Sequence, residues 1–144
     1  MKILFEADDA VFQFDEENHT FQFGWKGTVT YPSIRRVMLM AIDVAKNMDK
    51  VHWLIDRRDL DSYEAEARIW IKNEFILNQG KSMIGKIDKI AAIESQSQMG
   101  KLASNVLTAA IKKENPAIVW VFFYLTFFLL LDHFRSFYHG LTSL

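Results

Sequence analysis

The chain has 144 residues, half of them hydrophobic and 24% charged, which is the length and balance of one ordinary globular domain with a sizeable core. Seventeen basic residues oppose eighteen acidic ones, a net charge of −1, and no cationic run exceeds Arg57-Arg58 or Lys112-Lys113, so the electrostatic footprint of a nucleic-acid binder is missing. With no cysteine, disulfides, thiolate metal sites and a Cys nucleophile are excluded, and a reducing cytoplasm is the expected setting.

Met1 to Glu6 offers only three apolar residues before an acid, too few for the apolar region of a signal peptide. Ala10–Phe14 and Thr20–Trp25 suit two strands, and the polar stretch Asp15 to His19 between them predicts a β-hairpin. Gly24 and Gly27 flank Trp25, where the second strand is expected to bulge or end. Ile34, Val37, Met38, Ala41, Ala45 and Met48 then recur at helical spacing, with Thr30 as cap and Pro32 in the first turn. Val51–Ile55 is a short apolar run that predicts a buried strand stopping at the charged loop Asp56-Arg57-Arg58-Asp59.

Asp61 and Glu64 have the spacing of a capping box, opening a helix to about Leu77 that buries Ile69, Trp70 and Phe75 or their neighbours. Ile87–Ile93 is a further strand. Ser95 or Ser97 caps the next helix, whose stripe is Met99, Leu102, Ala103, Val106, Leu107, Ala110 and Ile111. Ile118–Phe123 is β-branched and aromatic, a last strand. The apolar run from Ala117 to Leu131 falls short of the roughly 20 residues of a membrane-spanning helix. Beyond it, Leu130, Leu131, Phe134, Phe137, Tyr138 and Leu141 share one helical arc opposite Asp132, His133, Arg135, Ser136 and His139. That segregation suits a helix packed on a sheet, not a span. The expected fold is one α/β domain over 1–144 of order ββαβαβαβα. A mixed sheet starts with an antiparallel hairpin and continues in parallel βα units, and with four helices to distribute most of it should be covered.

This order, together with Trp25-Lys26-Gly27, Leu54-Ile55-Asp56-Arg57-Arg58 and Trp70 on the following helix, resembles the SpoIIAA-like (STAS/SEC14-type) family of small bacterial proteins over nearly the whole chain. The resemblance implies a regulatory module that binds protein partners, as anti-sigma-factor antagonists do under serine phosphorylation, or a lipid-exchange domain. Asp61-Ser62-Tyr63-Glu64 stands where the antagonists carry an Asp-Ser-Ser-Gly-like turn, but only the Asp and the first Ser match. A phosphate on Ser62 would gain from the helix N-terminus and be repelled by Asp61 and Glu64, so Ser62 is expected to serve as part of a helix cap.

The best polar candidate is the cluster Asp56, Arg57, Arg58 and Asp59, expected at the carboxyl edge of its strand, where ligands of open α/β sheets bind. There Arg57 or Arg58 would hold an anion or an acidic partner residue, and the competing expectation is local Asp–Arg pairing that fixes the loop. The second candidate is apolar. Tyr124, Leu125, Phe128 and Leu129, with Trp120, lie at the last strand–helix turn, where the family pattern implies acidic residues. They mark a homodimer or partner interface, or are covered by Ile3-Leu4-Phe5. The four histidines show no metal spacing, no phosphate loop or nucleophile motif occurs, and no cofactor is expected. The sequence therefore points to a non-enzymatic binding or regulatory module, cytoplasmic, acting through a protein partner or itself. A carrier of a small apolar or lipid-like ligand is the alternative, and an enzyme comes third.

Overall fold

Alternating aromatics build the first half of the core. The computed structural model describes residues 1–123. In it β2 (Ala10–Asp15) and β3 (Thr20–Val29) form the expected antiparallel hairpin, turning Phe12, Phe14, Phe21, Phe23 and Trp25 to one face. Asp15 closes the turn by accepting from the Asn18 backbone and side-chain amides, and His19 takes the left-handed conformation at φ 50°. Phe12 stacks on Phe23 at 5.1 Å between centroids, and Phe23 meets Trp53 edge-on at 5.0 Å.

The sheet has six strands in sequential order: β1 (Lys2–Glu6), β2, β3, β4 (Val51–Tyr63), β5 (Ile87–Ile93) and β6 (Val119–Phe123). β1 to β3 pair antiparallel, and β3 to β6 parallel. The fold is thus α/β with a mixed sheet, but the hairpin is a three-stranded meander, because Lys2–Glu6 adds an edge strand absent from the order ββαβαβαβα. The helix expected after the last strand lies outside the described residues.

α1 (Tyr31–Ala45) starts as expected. Thr30 caps it, and Asp9 accepts from the Thr30 backbone N–H at 2.9 Å and from the Ser33 hydroxyl at 2.8 Å. Ile34, Val37, Met38, Ala41 and Ala45 are its buried face. α2 (Ala65–Trp70) runs into a π-helix (Ile71–Gln79), then come the short α3 (Lys81–Gly85) and α4 (Gln98–Glu114). Three parallel crossovers that step the same way across a sheet, each right-handed, bring their helices to one face. The buried residues of these helices accordingly join the aromatic core cluster on that face, except for Gly100, Ser104 and Thr108 of α4, whose small side chains carry no apolar surface of note. The described helices thus share one side, and the last of the four helices expected to cover the sheet lies outside the described residues. On the other side Leu54 and Ala91 form a separate small cluster with Phe123.

The largest departure is β4. It does not stop at Ile55 but continues to Tyr63, so Asp56 to Asp59 is strand and not a loop at a carboxyl edge. The register with β3 shifts between Gly24 and Lys26 and again between Gly27 and Thr28, and β4 carries the extra residue each time. Gly27 accommodates this at φ 63°, a conformation costly for a residue with a Cβ. Pairing with a ten-residue β3 holds the charged segment extended where local sequence predicted a turn. The Asp61–Glu64 capping box is corrected for the same reason. Asp61 belongs to β4 and its carbonyl accepts from the Ser97 hydroxyl, while Glu64, at the N-cap of α2, accepts the Tyr31 backbone N–H at 2.8 Å instead.

Candidate functional site

Helix α4 carries more apolar surface than the core takes. Its apolar positions span roughly half the circumference, whereas a helix lying on a core needs an arc of about 100°. The part that packs inward is made of Ile111 and of Gly100, Ala103, Ser104 and Thr108, four small residues that let α4 lie close on β4. Ser95 sets this approach, donating its hydroxyl to the Leu60 carbonyl at 2.6 Å, while Ser97 caps the helix by accepting the Gly100 N–H at 3.1 Å. Turned inward on that edge, α4 leaves Met99, Leu102 and Val106 at 59%, 64% and 52% exposure.

Opposite them stands the α2–π-helix segment. A π-helix of nine residues is unusual, since such turns are mostly single insertions and concentrate at functional sites. Here it keeps Ile71, Phe75 and Ile76 buried while Ile69, 61% exposed, points away from the core, as do Lys72 and Asn73. Between the two helices lies a groove of about 420 Å³, lined by Ile69, Met99, Leu102, Val106 and Leu107, with Arg68 and Lys72 on its α2 side. Neither cation has an acidic partner among the described residues. Trp70 and Phe75 are buried as expected, but the expected burial of Ile69 is corrected, and Met99, Leu102 and Val106 of the α4 stripe are exposed groove wall. An apolar arc nearly twice as wide as a core needs, beside the small residues Gly100, Ser104 and Thr108, was the signal in the sequence.

Beneath α4 lies a second feature. Arg57 is on the core face of β4 and only 4% exposed. One terminal nitrogen donates to Glu94 at 3.2 Å, and its Nε–H has no acceptor among the described residues. A cavity of about 50 Å³ abuts it, walled by Trp25, Trp53, Tyr63, Phe75, Leu107, Thr108 and Trp120 among others. The indole N–H groups of Trp53 and Trp120 also lack acceptors among the described residues. Burial pushes the Tyr63 phenol up to about 12, against the opposing pull of the Arg57 charge. Tyr63 therefore stays neutral and is no general base at ordinary pH.

Of the remaining residues singled out in the sequence, Asp56 and Asp59 line one surface depression of about 540 Å³ with Gly24, Trp25 and Lys26, and the others stand apart. Asp56 and Arg58 stand on the face of β4 opposite Arg57 and pair with each other: Arg58 donates from Nε to one carboxylate oxygen at 3.0 Å and from a terminal nitrogen to the other at 2.7 Å. Asp59 is exposed beside Lys26. The four charged residues are thus divided between the two faces of the sheet, with Arg57 alone on the core side. Ser62 is not part of a helix cap, as expected above, but stands in β4, where its hydroxyl meets that of Thr28 at 3.2 Å. Trp120 is half-buried, stacked on Phe122 and covered by the Lys112 ammonium 5.5 Å from its ring. Tyr124, Leu125, Phe128 and Leu129 lie outside the described residues. Among the described residues no group of three or more His, Asp or Glu could hold a metal ion, and no helix is long and apolar enough to cross a membrane. Comparison of the chain with protein-family models, with curated proteins and with solved structures gives no match.

Proposed function

We propose that this chain is a non-enzymatic interaction module that docks an amphipathic helix of a partner protein, acidic along its flanks, in the groove between the α2–π-helix segment and α4. The carrying observation is that Ile69, Met99, Leu102 and Val106, each more than half exposed, line one groove. Met99, Leu102 and Val106 follow i, i+3, i+7 spacing, a ridge over two turns of α4 against which a third helix can seat its own apolar stripe. Arg68 and Lys72, without acidic partners among the described residues, favour acidic flanks on that helix. A second copy of this groove is a poor occupant, because a two-fold contact would set like charges against each other. A lipid-like guest has no enclosed room of its size among the described residues: the internal cavity of about 50 Å³ is far below the 300 Å³ or more of ordinary ligand sites. A SpoIIAA-like kinship and a cytoplasmic setting belong to the same proposal; a module of that family acting on protein partners would use such a surface.

A displayed library of random 18-residue peptides tests the groove. Enriched peptides should read as amphipathic helices with Asp or Glu beside the apolar stripe, lose at least tenfold in affinity toward Leu102→Glu, and weaken toward Arg68→Glu/Lys72→Glu. Peptides that are extended, or that bind the Leu102→Glu protein equally well, would overturn the proposal.

A further inference from the structure

The buried arginine carries an inference independent of the groove. Arg57 is a cation with almost no solvent contact, and one of its N–H donors faces no acceptor among the described residues. Burying a donor unpaired is costly, and a charged one more so. Trp53 and Trp120, whose indole N–H groups also lack acceptors among the described residues, stand in the wall of the cavity beside Arg57, and that wall is otherwise mostly apolar or aromatic. A chamber whose unpaired groups are donors suits a guest that only accepts. At about 50 Å³ it holds more than one water, yet it is closed to large molecules.

Charge balance comes from Glu94. Its single 3.2 Å bond to Arg57 is not the two-pronged arrangement that fixes an Arg–carboxylate pair. Glu94 also lines a separate outer depression with Lys101 and Lys112, between α4 and β6. Its carboxylate therefore has cations to turn to on the solvent side. We propose that the cavity beside Arg57 is a binding site for a small monovalent anion of formate or halide size, which displaces Glu94 as the counter-ion of Arg57. The anion accepts from Arg57 Nε and a cavity-lining indole, and Glu94 swings toward Lys101 and Lys112.

Thermal unfolding in rising sodium formate is the test, with sodium sulfate at equal ionic strength as the anion too large to enter. Formate at ten times its dissociation constant should raise the midpoint by about 3–6 °C in a saturable way, whereas sulfate should give only the non-saturating rise of a salt excluded from protein surfaces. Glu94→Gln removes the competing carboxylate and should lower the half-saturating concentration. Arg57→Met should abolish the response; should that protein fail to fold, Trp120→Phe keeps the shape, loses one donor, and should weaken the response at least threefold. A formate effect that grows without saturating as that of sulfate does, an equal effect in Arg57→Met, or a weaker one in Glu94→Gln would overturn the proposal and leave the cavity to water.

Discussion

Two truncations on one helix separate a docking surface from a core. Leu102 and Ile111 both belong to the apolar stripe of α4, but Leu102 is 64% exposed and Ile111 only 7%. Fully burying a leucine side chain is worth about 1.5–3 kcal/mol, so the third of Leu102 that is covered contributes about 0.5–1 kcal/mol. Leu102→Ala should therefore cost no more than about 1 kcal/mol, since alanine also favours the helix slightly. Ile111→Ala removes a packed side chain and leaves a cavity, which costs about 2–5 kcal/mol. Urea unfolding followed by tryptophan fluorescence should show the midpoint barely moved in the first variant and sharply lowered in the second, with the same slope in both. An equal loss in the two would mean that Leu102 is covered in the folded chain, and the groove would then be core and no docking surface.

Gly100→Ala should be far more damaging than its one added carbon suggests. The new Cβ would collide with the Ser95 hydroxyl and lie 2.8 Å from the Leu60 carbonyl, breaking the bond that seats α4 on β4, and calorimetry should show a loss of about 2–4 kcal/mol. His52 is held below its ordinary pKa of 6.5 by burial, against the pull of Asp88. The unfolded chain then takes up the proton first, so this contribution to stability is complete above pH 6.5 and is lost as pH falls through the lowered folded value. His52→Gln should flatten that part of the stability–pH curve, and an unchanged curve would refute the assignment. Asp9 is the acidic counterpart. Burial alone would raise its pKa, but hydrogen bonds from Thr30 and Ser33 outweigh it and hold the carboxyl below 3.8. Asp9→Asn should cost about 1 kcal/mol at neutral pH and progressively less as acid titrates the wild-type carboxylate.

Hydrophobic periodicity made most of the fold legible. The Phe-rich hairpin, α1 with its Thr30 cap, the strands at Ile87–Ile93 and Val119–Phe123, and α4 with Ser97 at its start all follow local rules that tertiary packing reinforced. The failures have one cause, pairing between distant segments. Asp56-Arg57-Arg58-Asp59 is a loop by local composition, yet Asp56 and Asp59 pair with Gly24 and Lys26 of β3 and keep it in the strand, with Arg57 inward against Glu94. The edge strand Lys2–Glu6 exists because β2 offers it a partner, which five residues of sequence do not announce. The groove was half legible. The apolar arc of α4 was visible, but periodicity assigns every apolar position to a core and cannot tell which edge of a wide arc is covered.

The claim that a partner helix occupies the groove is tested most directly by a photo-reactive amino acid placed at position 102 in the producing cells. Cross-linking to a single other polypeptide, through a peptide that is an amphipathic helix with acidic flanks, is the predicted result. Cross-links confined to this chain, whether to another copy or to its own residues 124–144, or to lipid, would contradict it.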